Sequence, residues 1–188
     1  ADEISTHLAA LEQTMGKKLG DADDPLLVSV RSGAKFSMPG MMDTVLNLGL
    51  NDESVNGLAK QGGNDRFAWD SYRRLLSMFG KTVLGVEGEL FEHALDELKS
   101  SKNTTNDLDL DAVDFQGLVE TYKGIIREHA GREFPQAPRE QLDLAVNAVF
   151  DSWNRTWRAS SKRATPSPSE FVRRVKAIAT PPRRNGPN

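Results

Sequence analysis

Across residues 53–153 the apolar side chains recur at three- and four-residue spacing, and this periodicity constrains the fold more than any other feature of the chain. Ala68, Tyr72, Leu75, Leu76 and Phe79 mark one helix over about 65–79. Leu90, Phe91, Ala94, Leu95 and Leu98 mark a second over about 88–99. Phe115, Leu118, Val119, Tyr122, Ile125 and Ile126 mark a third, capped near Asp111 and ended by Gly131. A fourth carries Leu142, Ala145, Val146, Val149, Phe150 and Trp153, with Pro138 suited to its first position. A shorter helix fits Glu53 to Lys60, and Ile4, Leu8, Leu11, Met15 and Leu19 predict another over 2–19, stopped by Gly20. Only Leu26–Val30 and Val45–Leu50 read as strands; Val28 and Val30 share one face, Leu27 and Ser29 the other, and Gly49 weakens the second run. The expected class is therefore α+β, mostly helical, with a short β-hairpin. Two strands are marginally stable alone, so strands outside the chain or a partner are expected to complete the sheet.

At 188 residues the chain can bury a core of its own. Its 38% hydrophobic content is too high for wholesale disorder, and no apolar run approaches the ~20 residues of a membrane span. Without cysteine there are neither disulfides nor thiolate metal sites, and a reducing cytoplasmic setting is expected. The chain opens with Ala-Asp-Glu-Ile inside a helical pattern, which suggests a piece of something longer. The formal charge of −3 hides an asymmetry. Residues 155–188 hold nine Lys/Arg against one acid, Glu170, a balance of +8; the other 154 residues hold 15 basic and 26 acidic side chains, a balance of −11. With Trp157 and Phe171 as its only aromatics, this end is poorly equipped to stack on bases, which argues against nucleic acid and for a flexible basic tail.

The segment between the strands is the most uneven in composition. Arg31 closes the first strand and is followed by Ser32-Gly33-Ala34. A guanidinium fork matches phosphate oxygens, and small residues let backbone N–H groups approach the same anion. On position alone, a strand-end arginine paired with a carboxylate is the commoner outcome. Ser37-Met38-Pro39-Gly40-Met41-Met42 then combines Pro-Gly turn chemistry with three of the chain's five methionines. His7, His93 and His129 fall on predicted helices and read as solvated or structural.

The order Leu26-Leu-Val-Ser-Val-Arg-Ser-Gly-Ala34, then Ser37-Met-Pro-Gly-Met-Met-Asp-Thr-Val-Leu-Asn-Leu-Gly-Leu-Asn-Asp52, resembles the nucleotide-binding domain of the pyruvate phosphate dikinases. The likeness continues through Arg66–Arg74, Glu133–Gln136 and Ala148–Trp153, so it covers about residues 1–154. Phosphoenolpyruvate synthases, the second choice, lack Met-Pro-Gly-Met-Met after their arginine. The resemblance implies an ATP-grasp module: 1–52 as part of its first subdomain and 53–154 as a helical insertion. It implies that ATP donates its βγ-pyrophosphoryl group to a histidine on a separate domain, on the way to phosphoenolpyruvate. Arg31 matches the arginine that holds the ATP phosphates, the one catalytic assignment, and Ser37, Met38, Pro39 and Gly40 match the loop over them. Mg2+ is implied as well, with its ligands outside this chain. So are the phosphohistidine domain and pyruvate-binding barrel as partners, and a homodimeric parent enzyme. The family's Gly-Gly-Lys-Gly segment is absent from the 188 residues, so the isolated chain is expected not to turn over.

Overall fold

Why the chain breaks where it does is set by a few residues of special backbone geometry. The computed structural model describes residues 2–31 and 44–160. Helix α1 (Asp2–Met15) leads to β1 (Lys18–Leu19), β2 (Pro25–Leu26), β3 (Val28–Arg31) and β4 (Thr44–Leu48). Five helices follow: α2 (Ser54–Gly62), α3 (Asp65–Thr82), α4 (Gly88–Ser101), α5 (Ala112–Ala130) and α6 (Pro138–Ser160), with one 3-10 turn at Asp107–Asp109. No described helix is long and apolar enough to cross a membrane.

The first helix is shorter than its periodicity predicts. Gly16 takes φ +65° and ends it four residues before Gly20, and Leu19 leaves the helix to pair in β1. Leu19 N–H donates to Glu12 Oε1 at 2.9 Å, so the released backbone is satisfied locally. β1 runs parallel to β2, with Lys18 opposite Pro25 and Leu19 opposite Leu26. The Asp21–Asp24 turn between them is an Asx turn: Asp21 Oδ1 accepts from the N–H groups of Asp23 (2.9 Å) and Asp24 (3.0 Å). These donors hold the Asp21 carboxyl below its ordinary pKa.

β3 and β4 form the expected antiparallel hairpin, with Arg31 opposite Thr44, Val30 opposite Val45 and Val28 opposite Leu48. Leu26, Val28 and Val30 are buried while Leu27 and Ser29 are half-buried, as the alternation predicts. β4 stops two residues short of Leu50 because Asn47 (φ +61°) and Gly49 (φ +108°) leave extended geometry. The helices fall where periodicity puts them. Asp111 and Asp114 make a reciprocal capping box on α5, Gly131 caps its far end in the left-handed conformation, and Pro138 opens α6. Helix α6 runs on to Ser160, past the boundary placed at 154.

The buried apolar residues form one cluster that crosses residue 52. Val45, Leu48 and Leu50 of the hairpin end lie in it with Tyr72, Leu75, Leu76 and Phe79 of α3 and Phe115, Val119 and Ile126 of α5, all fully buried. α6 packs Leu142, Ala145, Val146 and Val149 onto the two strands. Phe134 joins the layers, its ring edge-on to Phe79 at 5.3 Å and to Tyr72 at 6.1 Å.

Candidate phosphate site at the end of the hairpin

The alternation of β3 sends Val28 and Val30 inward and brings Arg31 to the strand end, where it is exposed. None of the ion pairs among the described residues includes it. A carboxylate partner, the ordinary fate of such an arginine, is therefore not seen among these residues, in a chain with 27 acidic side chains. The cation stands at the start of the 32–43 segment. Ser37, Met38, Pro39 and Gly40 belong to that segment and lie outside the described residues. Among the described residues no group of three or more His, Cys, Asp or Glu side chains could hold a metal ion. His7, His93 and His129 are exposed, and His93 faces Glu97 one turn away at 3.6 Å.

The base of the hairpin is built of buried polar groups. Gln141 on α6, fully buried, accepts from Gly49 N–H at 3.0 Å and donates to the carbonyls of Leu50 (2.9 Å) and Pro135 (2.8 Å). Asn51 accepts from the N–H groups of Glu53 (3.0 Å) and Ser54 (2.7 Å), and donates to Gln136 O at 3.0 Å. The Ser54 hydroxyl donates back to Gly49 O at 2.9 Å. Asp52 N–H donates to Gln136 Oε1 at 3.0 Å, while Asp52 Oδ1 receives the Tyr72 hydroxyl at 2.8 Å and the Lys123 ammonium at 2.6 Å. Burial, aided by the Asp52 charge, pushes the Tyr72 phenol up, so it remains a donor. Burial works against the Lys123 charge, but hydrogen bonds to Asp52 and Glu120 outweigh it and raise its pKa. The Leu-Asn-Asp end of the hairpin is thereby fastened to α3, α5 and α6 at once. Each of the buried groups around Gln141 and Ser54 left unsatisfied costs about 1–3 kcal/mol.

The other segments that carry the resemblance do packing work. Arg66 donates to the carbonyls of Leu110 (2.7 Å) and Asp107 (2.6 Å), and both Arg66 and Arg73 lie over the Phe115 ring. Asp70 pairs with Arg73 and Arg74 along one face of α3. Lys99 hydrogen-bonds Asp107 and holds its carboxyl below the ordinary range, with Arg73 adding to the effect. Periodicity alone did not single out Gln141. Its signal is a polar side chain four residues before Ala145, on the buried stripe of α6.

A family model described as the pyruvate phosphate dikinase AMP/ATP-binding domain matches residues 1–170. The chain belongs to that family. It is 55% identical over 152 residues to a pyruvate, phosphate dikinase of Giardia intestinalis, covering 81% of this chain and 17% of the relative. It is 56% identical over 153 residues to the chloroplastic pyruvate, phosphate dikinase of Flaveria trinervia, covering 81% and 16%. It is 48% identical over 171 residues to a pyruvate, phosphate dikinase of Clostridium symbiosum, covering 90% and 20%. The chain thus spans about a fifth or less of the length of these dikinases, and the dikinase match extends past residue 154.

Proposed function

We propose that the chain is the ATP-binding portion of a pyruvate phosphate dikinase, with residues 1–52 part of the first ATP-grasp subdomain and 53–154 its helical insertion. In this reading ATP gives its βγ-pyrophosphoryl group to a histidine on another domain of the same enzyme and leaves as AMP. Inorganic phosphate accepts the γ-phosphoryl group as pyrophosphate, and the phosphohistidine passes the remaining one to pyruvate, forming phosphoenolpyruvate. The pyruvate-binding barrel, the phosphohistidine domain, further strands for the small sheets and the second subunit of a dimer come from outside these 188 residues.

Arg31 carries the assignment: an exposed guanidinium at a strand end with no carboxylate partner among the described residues, in a family that binds adenine nucleotides. Its fork holds two phosphate oxygens and its fixed charge offsets the charge that spreads over them during transfer, which is where phosphoryl-transfer catalysis resides. Ser37, Met38, Pro39 and Gly40 are assigned to the same phosphates by their match to the family motif. Mg2+ accompanies ATP in this reading, with its protein ligands outside these 188 residues.

The test is Arg31→Ala and Arg31→Lys in the full-length polypeptide, read by ATP-dependent histidine phosphorylation. Loss of one such electrostatic contact lowers the rate about 100- to 1,000-fold, and Lys recovers only part because it keeps the charge without the fork. Wild-type rates in Arg31→Ala would remove Arg31 from the site. Pyrophosphate release by the isolated 188-residue chain would refute the division of labour among domains.

A further inference from the structure

Gln141 stands on α6, in the interior, and touches the two residues that follow β4, at the other end of that strand from Thr44 and its partner Arg31. Its amide is fully committed to backbone: one N–H of Gly49, the carbonyl of Leu50 and the carbonyl of Pro135. Gly49 and Leu50 are the base of the hairpin, and Pro135 belongs to the turn that leads into α6. Gln136, in the same turn, takes Asp52 N–H through its side chain and the Asn51 amide through its carbonyl. One short segment, Pro135–Gln141, therefore holds the end of β4 by its backbone, beside the packing of Val45 and Leu48 in the core.

The far end of that strand is Thr44, opposite Arg31. The five residues of β4 make a lever of about 16 Å at ~3.3 Å per residue. A tilt of about 4° at the base swings the Arg31 end by about 1 Å, and a misplacement of that size can cost on the order of 100-fold in a reaction that depends on positioning. We infer that Gln141, supported by Gln136, is a positioning residue for phosphoryl transfer: it sets the angle at which the hairpin presents Arg31 to the ATP phosphates. The inference rests on the ATP-site reading above. Gln141 touches no substrate; its effect travels through the Gly49–Leu50 backbone.

The experiment uses the full-length polypeptide with Gln141→Met, which keeps length and volume but leaves three backbone groups without their partner, and with Gln136→Ala. Gln136 is exposed, so its removal spares the core. Three quantities are read: ATP-dependent histidine phosphorylation in a single turnover at saturating ATP, phosphoenolpyruvate–pyruvate exchange, and the thermal midpoint. Exchange uses the phosphohistidine and the barrel without the hairpin, so it reports those domains, and the thermal midpoint, read against the assay temperature, reports whether the hairpin-bearing part stays folded. Gln141→Met slows histidine phosphorylation about 10- to 100-fold while exchange holds within twofold, and Gln136→Ala slows it several-fold in the same sense. Unchanged phosphorylation beside a lowered thermal midpoint in Gln141→Met means that the residue serves stability alone and overturns the inference. If the thermal midpoint of Gln141→Met falls below the assay temperature, Gln136→Ala decides: wild-type phosphorylation in that variant refutes the lever. A wild-type protein with exchange but no ATP-dependent phosphorylation fails the ATP-site reading instead.

Discussion

Replacing Gly49 by alanine tests whether the hairpin base is as tightly determined as its geometry indicates. Gly49 has φ +108°, outside the region that L-residues with a Cβ readily adopt. A Cβ built there falls 2.7 Å from Leu26 O, 3.0 Å from Leu19 Cδ1 and 3.3 Å from Gly20 N. The leucine methyl can turn away, but Leu26 O belongs to β2 and moves only with its strand. Backbone strain of about 1–2 kcal/mol and overpacking of about 1–3 kcal/mol place the loss at about 2–5 kcal/mol. For a chain of this size that lowers the thermal midpoint by roughly 2–4 °C per kcal/mol. Gly117→Ala is the matched control. It lies exposed inside α5 with nothing within 4 Å of a new Cβ, so alanine adds helix propensity without a clash and stabilises by about 0.4–1 kcal/mol. Urea unfolding of the two variants beside wild type reads both signs. Gly49→Ala within 0.5 kcal/mol of wild type, on the order of the usual surface substitution, would refute the argument, as would a destabilised Gly117→Ala.

Three further outcomes follow from the packing. Tyr122 is buried and its hydroxyl donates to Phe91 O at 2.8 Å, so Tyr122→Phe lowers stability by about 0.5–1.5 kcal/mol with the edge-on ring contact retained, measured by urea midpoint. Arg66→Lys keeps the charge but cannot bridge two carbonyls from one plane; it loosens the 107–110 turn, read as faster amide exchange at Leu110, and unchanged exchange there would count against it. Lys99 and Arg73 lower the Asp107 pKa in the folded chain, so this carboxylate stabilises above its unfolded pKa of about 3.9 and the contribution disappears as pH falls through the folded value. Asp107→Asn flattens that part of the acid limb in a pH series of urea midpoints, and an unaltered limb would sink the assignment.

The composition of each helix was legible because burial repeats every three to four residues, whatever the partner. The Asp111 cap, the Gly131 stop and the Pro138 start needed only local geometry and were readable for that reason. The end of α1 was misread because Leu19 satisfies both periods: it lies on the helical stripe of Ile4–Met15 and also faces inward from a strand. Gly16 in the left-handed conformation, together with the parallel pairing to Pro25–Leu26, decided between them, and that pairing is a tertiary fact.

Sequence by itself determined the mostly helical α+β class, the hairpin flanking the 32–43 segment and, through one ordered motif, the dikinase family. It also pointed to Arg31, whose place at the strand end is local and whose phosphate role came only with the resemblance. What it could not supply was the set of partners that hold the hairpin. Gln141 lies 92 residues from Gly49 and Gln136 lies 84 from Asp52. No local pattern encodes a hydrogen bond across such a distance. Folding α6 and the turn before it back over the strands brings those amides to the backbone groups left unpaired where β4 ends, and burial makes the Gln141 bonds necessary.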